Sequence, residues 1–418
     1  MAVIELGELT TEHPVQDSRI RPRPLLCALL AVLTLLAVTG SARPRQDAGG
    51  RVLWSAPSGM DDLISVAGDT VFQRRTGWQS DLVLYDLTTG ARRWGTGDVP
   101  FDRFLAAGPV VLLVTDPEIG VPGHAAGAVT ARRTTDGGVL WHRPGTAVTW
   151  DGDAVLIAEH DAHGRTDRLS RVRLADGTPV WRRPIAPADV VQLENRMAGT
   201  PSRILAATDG RIDLYHWADG TPDGSGRLPV RATDILYAVD GDLHASIGAA
   251  LRLYDLGGFR DLGTFGGTTI AQVIGCTPLI CRIDAGGASA TDPLTGREVW
   301  RLPGATQIDL VTADRVLLSD PDGLSRTLVD TATGRVLASH VPGNATTEYT
   351  ARPASVLLLR ATGTPAGQTS VVRLDLATGS WRLLGLVPPV GDPNRCTTAG
   401  ALLFCQENAL MYAMTVPG

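Results

Sequence analysis

The sequence predicts an all-β fold, a β-propeller of eight or nine four-stranded blades. Three observations carry this expectation. One phrase recurs at a spacing near 40 residues, short Val/Leu/Ile runs break at Gly or Asp, and Trp stands at one fixed offset inside the phrase.

The phrase is "YDLTTGARRW" (85–94), and it returns as "DPLTGREVW" (292–300), "DTATGRVL" (330–337) and "DLATGSW" (375–381). Its Gly positions are Gly50, Gly90, Gly137, Gly177, Gly220, Gly258, Gly296, Gly334 and Gly379, separated by 40, 47, 40, 43, 38, 38, 38 and 45 residues. Four places after the Gly stand Trp54, Trp94, Trp141, Trp181 and Trp300; the other slots hold Gly224, Leu262, Ala338 and Leu383. Upstream of each Gly after Gly50 lie three apolar runs of about 5–7 residues separated by turns, as in "DILYAVDGDLHASIGAALRLYDLGG" (234–258). Each unit therefore reads as four short antiparallel strands, the size of one propeller blade.

The phrase has a structural meaning on this reading. Asp86 and Asp292 are placed to accept turn amides through their carboxylates, and Thr89 to do so through its hydroxyl. Gly90 supplies a positive φ that residues with a Cβ resist. The Trp then fills the seam between neighbouring blades, where one indole buries on the order of 150–250 Å². Ring closure is legible as well. "GGRVLW" (49–54) is a fourth strand with nothing before it, and "AGALLFCQENALMYAMTVPG" (399–418) supplies inner strands without a fourth. Together they make one blade and hide two sheet edges.

The repeated D-x-x-T-G-x-x-x-W with its period near 40 residues resembles the quinoprotein-type (PQQ-like) propeller repeat, and the resemblance covers nearly all of 49–418. It implies the propeller fold and leaves the activity open, because the superfamily holds both quinoprotein dehydrogenases and non-catalytic propellers. The dehydrogenases carry adjacent cysteines beside the quinone, with Ca²⁺ ligands and a catalytic Asp. This chain has no Cys-Cys dipeptide. A quinoprotein-like oxidoreductase is thus the alternative reading, and no cofactor, metal or catalytic residue is expected.

Composition narrows the partners. All 38 basic residues are Arg, the imprint of a GC-rich genome, and they are dispersed along the chain. With a net charge of −6 and no basic cluster, nucleic acid is excluded as the expected partner. Residues 25–42 form an uncharged run of 18 between Arg-rich flanks, long enough for a transmembrane helix or signal anchor. The expected organisation is therefore a cytoplasmic tail (1–24), the span (25–42), a linker (43–48) and the propeller (49–418), with a cleaved signal peptide as the competing reading of the span. Cys27 falls within the span; Cys276 with Cys281, and Cys396 with Cys405, form two local pairs that each suit a disulfide across a hairpin. Disulfides belong to an oxidising compartment, which places the propeller on the extracytoplasmic side.

The remaining motifs read as turns. "EHDAH" (159–163) lacks zincin spacing, "SDPDG" (319–323) suits a plain turn, and "NAT" (344–346) is a sequon short enough to arise by chance. Insertions at 116–128, 159–168 and 360–370 fall between second and third strands, share one face and are candidate contact loops. The acidic segment 1–14 is a disordered tail or a short docking peptide. The functional expectation is a non-catalytic, membrane-anchored, monomeric ring that binds an unnamed protein or cell-envelope ligand.

Overall fold

The computed structural model describes residues 49–416, apart from 60, 76–80, 98, 118–126, 196–201, 232–233, 240, 248–249, 267–269, 277, 313, 349–353 and 408. The tail, the span at 25–42 and the linker lie outside the described residues. Among the described residues no helix is long and apolar enough to cross a membrane.

Nine four-stranded antiparallel blades follow one another along the chain, so the ring has nine blades rather than eight. The first eight occupy 63–95, 103–144, 146–188, 190–227, 235–266, 270–302, 307–342 and 344–387. The ninth takes three strands from 396–415 and its outer strand, Val52–Pro57, from the other end of the chain. The stretch after 387 thus builds a full blade. Two short parallel bridges link blades at their inner strands. Glu194 and Asn195 of the fourth blade pair with Ala238 and Val239 of the fifth, and Thr347 and Glu348 pair with Thr397 and Thr398 of the ninth.

Strand periodicity explains why the blades stack. In the strand Ala154–His160, Val155 and Ile157 face the second blade, while Leu156 and Ala158 face the fourth. Both faces are apolar, so no blade can cover itself. Nine apolar clusters result, one in each seam of the ring. The seam between the ninth and first blades is filled by Tyr85, Phe404 and Met411 with Trp54 packed against them, which closes the circle.

The repeated phrase is the turn between third and outer strands. The amides of Gly90, Gly137, Gly177, Gly220, Gly296, Gly334 and Gly379 each donate to the carbonyl four residues back, at 2.8–2.9 Å. All seven glycines hold φ between 67° and 73°. Asp86 Oδ1 accepts from Thr88 N, Thr89 N and Thr89 Oγ1 at 3.0, 2.8 and 2.9 Å, as the sequence implies. Arg93 lies against the same carboxylate; with the Thr89 bonds it holds Asp86 down at about 2. Asp292 caps Leu294 and Thr295 likewise. Blades two to four use a second form of turn. There Asp136, Asp176 and Asp219 sit just before the Gly and cap the residue just beyond it.

The Trp latch reaches across the seam. The Nε1 of Trp54, Trp94, Trp141, Trp181 and Trp300 donates to Leu87, Thr134, Leu174, Trp217 and Thr331 of the next blade, at 2.7–3.2 Å. Each indole also lies on the phrase glycine of that next blade. A Cβ at Gly90, Gly137, Gly177, Gly220 or Gly334 would come within 2.4–2.8 Å of the Trp. Those glycines therefore serve a close approach as well as a positive φ.

Two marks on the sequence ruler need correction. Gly50 forms no phrase turn, because the ninth blade is where the chain ends meet; its amide instead donates to Leu386 O at 2.7 Å. In the fifth blade the left-handed position belongs to Phe259 (φ 52°), not Gly258, and strand register puts Gly263, not Leu262, in the Trp slot.

Candidate functional site

The inner strands line the centre of the ring, and they leave a cavity of about 860 Å³ that runs along the first blade's inner strand from Leu63 to a mouth at Gly68. Its walls come from the inner strands of four successive blades, the ninth through the third. Leu63, Ile64, Val66 and Ala67 lie on the first, Phe104, Leu105 and Ala106 on the second, Trp150 on the third, and Thr398 and Ala399 on the ninth. None of the lining residues is ionisable. Leu63 and Trp150 are 56% and 38% exposed. Ser65 Oγ is buried in this wall and has no hydrogen-bond partner among the described residues.

Local geometry places the mouth. The inner strands of blades one, two and nine turn at Gly68, Gly108 and Gly400, each with φ near 60°, and the phrase turns lie at the same face. Leu87 N donates to Asp69 O at 2.9 Å, which ties the two kinds of turn together. Both ends of the ring's chain come to that face: Arg51 N donates to Thr415 Oγ1 at 3.1 Å, and Val416 N to Ala401 O at 2.9 Å.

The sequence-marked motifs are spent elsewhere. Glu159 takes Ser170 Oγ at 2.8 Å, Arg168 at 3.0 Å and the Arg182 guanidinium. Burial opposes its ionisation, but bonds from Arg182, Ser170 and Arg168 pull its carboxyl below the usual range. His160 Nε2 lies 3.0 Å from Thr146 Oγ1, and burial lowers its pKa; Asp161 caps the amides of His163 and Arg165. No group of three His, Cys, Asp or Glu among the described residues could hold a metal ion. In "SDPDG", Asp320 accepts from Ser325 and Thr327 at 2.8 and 2.6 Å, and Asp322 caps Leu324 and Ser325. Asn344 of the sequon receives Arg326 Nη2 at 3.0 Å.

The cysteines pair as the sequence suggests. Cys276–Cys281 and Cys396–Cys405 are disulfides, each joining the first two strands of a blade and buried in a seam. The three insertions do fall between second and third strands, on the face opposite the mouth. Two of them lengthen hairpins: Ser355–Gly363 pairs with Ala366–Asp375 almost to the tip, and His160 pairs with Thr166. Residues 118–126 of the other lie outside the described residues.

No protein-family model and no curated protein matches the chain. Among solved structures, BamB from Moraxella catarrhalis aligns at 13% identity and a TM-score of 0.39, covering 88% of this chain and 99% of that one. The computationally designed Ika8 protein aligns at 14% identity and a TM-score of 0.39, over 75% of this chain and 95% of that one. A europium-containing methanol dehydrogenase aligns at 12% identity and a TM-score of 0.36, over 82% of this chain and 81% of that one. Similarity at this level carries nothing about chemistry.

The sequence ruler missed the mouth because inner strands carry no phrase. One signal was present. Of nine Trp, Trp150 is one of four that stand outside the slots, and no blade seam accounts for it.

Proposed function

We propose that this chain is a non-catalytic, membrane-anchored propeller that works on the extracytoplasmic side as a binding platform for a protein or cell-envelope partner. The observation that carries the reading is the apolar cavity, with Trp150 exposed near its mouth and Leu63 exposed at the far end of the same wall. A preformed concave apolar surface favours a ligand that brings apolar groups to it. The mouth offers hydroxyls and backbone but no carboxylate, imidazole or guanidinium for acid–base work. The two disulfides support the compartment, and the uncharged run at 25–42 supports the anchor.

The test uses the full chain in native membranes, with a photo-crosslinking residue at Ala106 or Trp150 near the mouth, or at Thr364 on the opposite face. Adducts from the mouth positions are expected. Adducts from Thr364 alone would move the platform to the other face. Free thiols at Cys276 and Cys281 in natively isolated protein would overturn the extracytoplasmic assignment.

A further inference from the structure

The mouth combines two features that one ligand chemistry satisfies together. Its side chains are apolar, and its walls are strand edges. Among the described residues the inner strand of the second blade, Arg103–Ala107, pairs only with Val110–Thr115, and that of the third, Thr146–Asp151, only with Ala154–His160. Alternate N–H and C=O groups of such a strand face away from its sheet, toward the channel. Phe104, Leu105 and Ala106 carry that edge past the cavity.

The ring already uses an inner edge of this kind. Thr347 and Glu348 add in parallel to Thr397 and Thr398 on the ninth blade, and Thr398 is itself part of the mouth wall. Strand addition is therefore continuous with the cavity. An acyl chain would cover the apolar groups and leave the strand edges unmatched, at the cost of desolvating them. A charged peptide would bring ions to a wall with no counter-charge.

Resting on the platform reading, we infer that the mouth takes an uncharged, extended segment of a partner polypeptide, which adds as a strand to an exposed inner edge. Its alternate side chains pack on Leu63, Phe104 and Trp150, and its backbone pairs with the strand edge. At about 3.3 Å per residue, a five-residue inner strand matches a segment of five or six residues.

The probe is an end-capped, fluorescent hexapeptide of alternating Val and Thr, titrated into the full chain in detergent. Its comparators are the same peptide N-methylated at alternate residues and a fluorescent dodecanoyl chain. The capped peptide is expected to bind, and N-methylation to weaken it about tenfold or more by removing backbone donors. Leu63→Glu should abolish binding, with an unchanged melting curve as the folding control. Equal binding of the N-methylated peptide, preference for the dodecanoyl chain, or no binding of the capped peptide would each overturn strand addition. Crosslinking from Ala106 and Trp150 in membranes judges the platform reading separately. Adducts there without peptide binding would leave the mouth standing and remove only this occupant.

Discussion

Phe259 covers Gly226 across the seam between the fourth and fifth blades, the mirror of the latch found elsewhere. A Cβ on Gly226 would lie 2.2 Å from the Phe259 ring. In five seams the outer strand gives a Trp and the next turn gives a Gly. Here the slot on the outer strand is Gly224, and the aromatic comes from the turn. One aromatic fills the gap, and which side supplies it is interchangeable.

That interchange is testable. Phe259→Gly should relieve the left-handed strain at φ 52° yet empty the seam, for a net loss of about 2 kcal/mol and a lower Tm. Adding Gly224→Trp to that variant rebuilds the common latch and should recover most of the loss. A double variant less stable than Phe259→Gly alone would show that the seam accepts its aromatic from one side only.

Slot position, not Trp itself, should set the energetic weight. Trp141 is 8% exposed and donates to Leu174 O at 2.8 Å, so Trp141→Ala should cost about 3–5 kcal/mol. Trp141→Phe keeps the packing and should cost about 1 kcal/mol for the hydrogen bond. Trp381 stands two places after Gly379 and is 48% exposed. Trp381→Ala should change stability by less than about 0.5 kcal/mol. Chemical denaturation of the three variants checks the order, and a cost at Trp381 equal to that at Trp141 would refute it.

These two cases mark what was legible in the sequence. Period, blade count to within one, closure by 49–54 and the Asp86 turn follow from spacing, because every blade solves the same packing problem. Gly258 was misread as the turn residue because Phe259, an aromatic in the left-handed position, breaks the Gly rule, and only Gly226 across the seam explains it. Gly50 was misread because it matches the phrase at a break where no turn exists. The mouth was invisible for a different reason: inner strands of four blades, up to 336 residues apart (Leu63 and Ala399), build it, and no local spacing records their meeting.

A buried ion pair gives a third test. Asp309 and Arg326 touch in the seventh blade, at 10% and 7% side-chain exposure, and Ser319 Oγ adds 2.8 Å to the carboxylate. Burial raises the Asp309 pKa despite Arg326. Arg326→Leu should cost about 3–5 kcal/mol, since it strands a buried carboxylate, and the loss should lessen at acid pH as Asp309 protonates. Asp309→Leu with Arg326→Leu should cost clearly less than the two single losses added. Additivity in that cycle would mean that the pair is not coupled.

The pH dependence of stability should carry the signature of His244. Its side chain sits in the fifth blade at 2% exposure, with Gly275 so close that a Cβ there would lie 2.9 Å from the ring. Burial lowers its pKa from the usual 6.5 to about 4, so the folded protein holds it neutral where the unfolded chain would protonate it. The contribution is fully present above about pH 6.5. It falls away as the pH drops, by a few kcal/mol, and the loss saturates below about pH 4 when both states are protonated. His160, also lowered by burial, adds to the same slope, whereas Asp86, held at about 2, contributes only in more acid solution. His244→Leu should therefore flatten the fall in Tm between pH 6.5 and 4 while leaving the steeper acid limb intact. Equal slopes in the parent and His244→Leu over that window would show that His244 does not titrate as its burial requires.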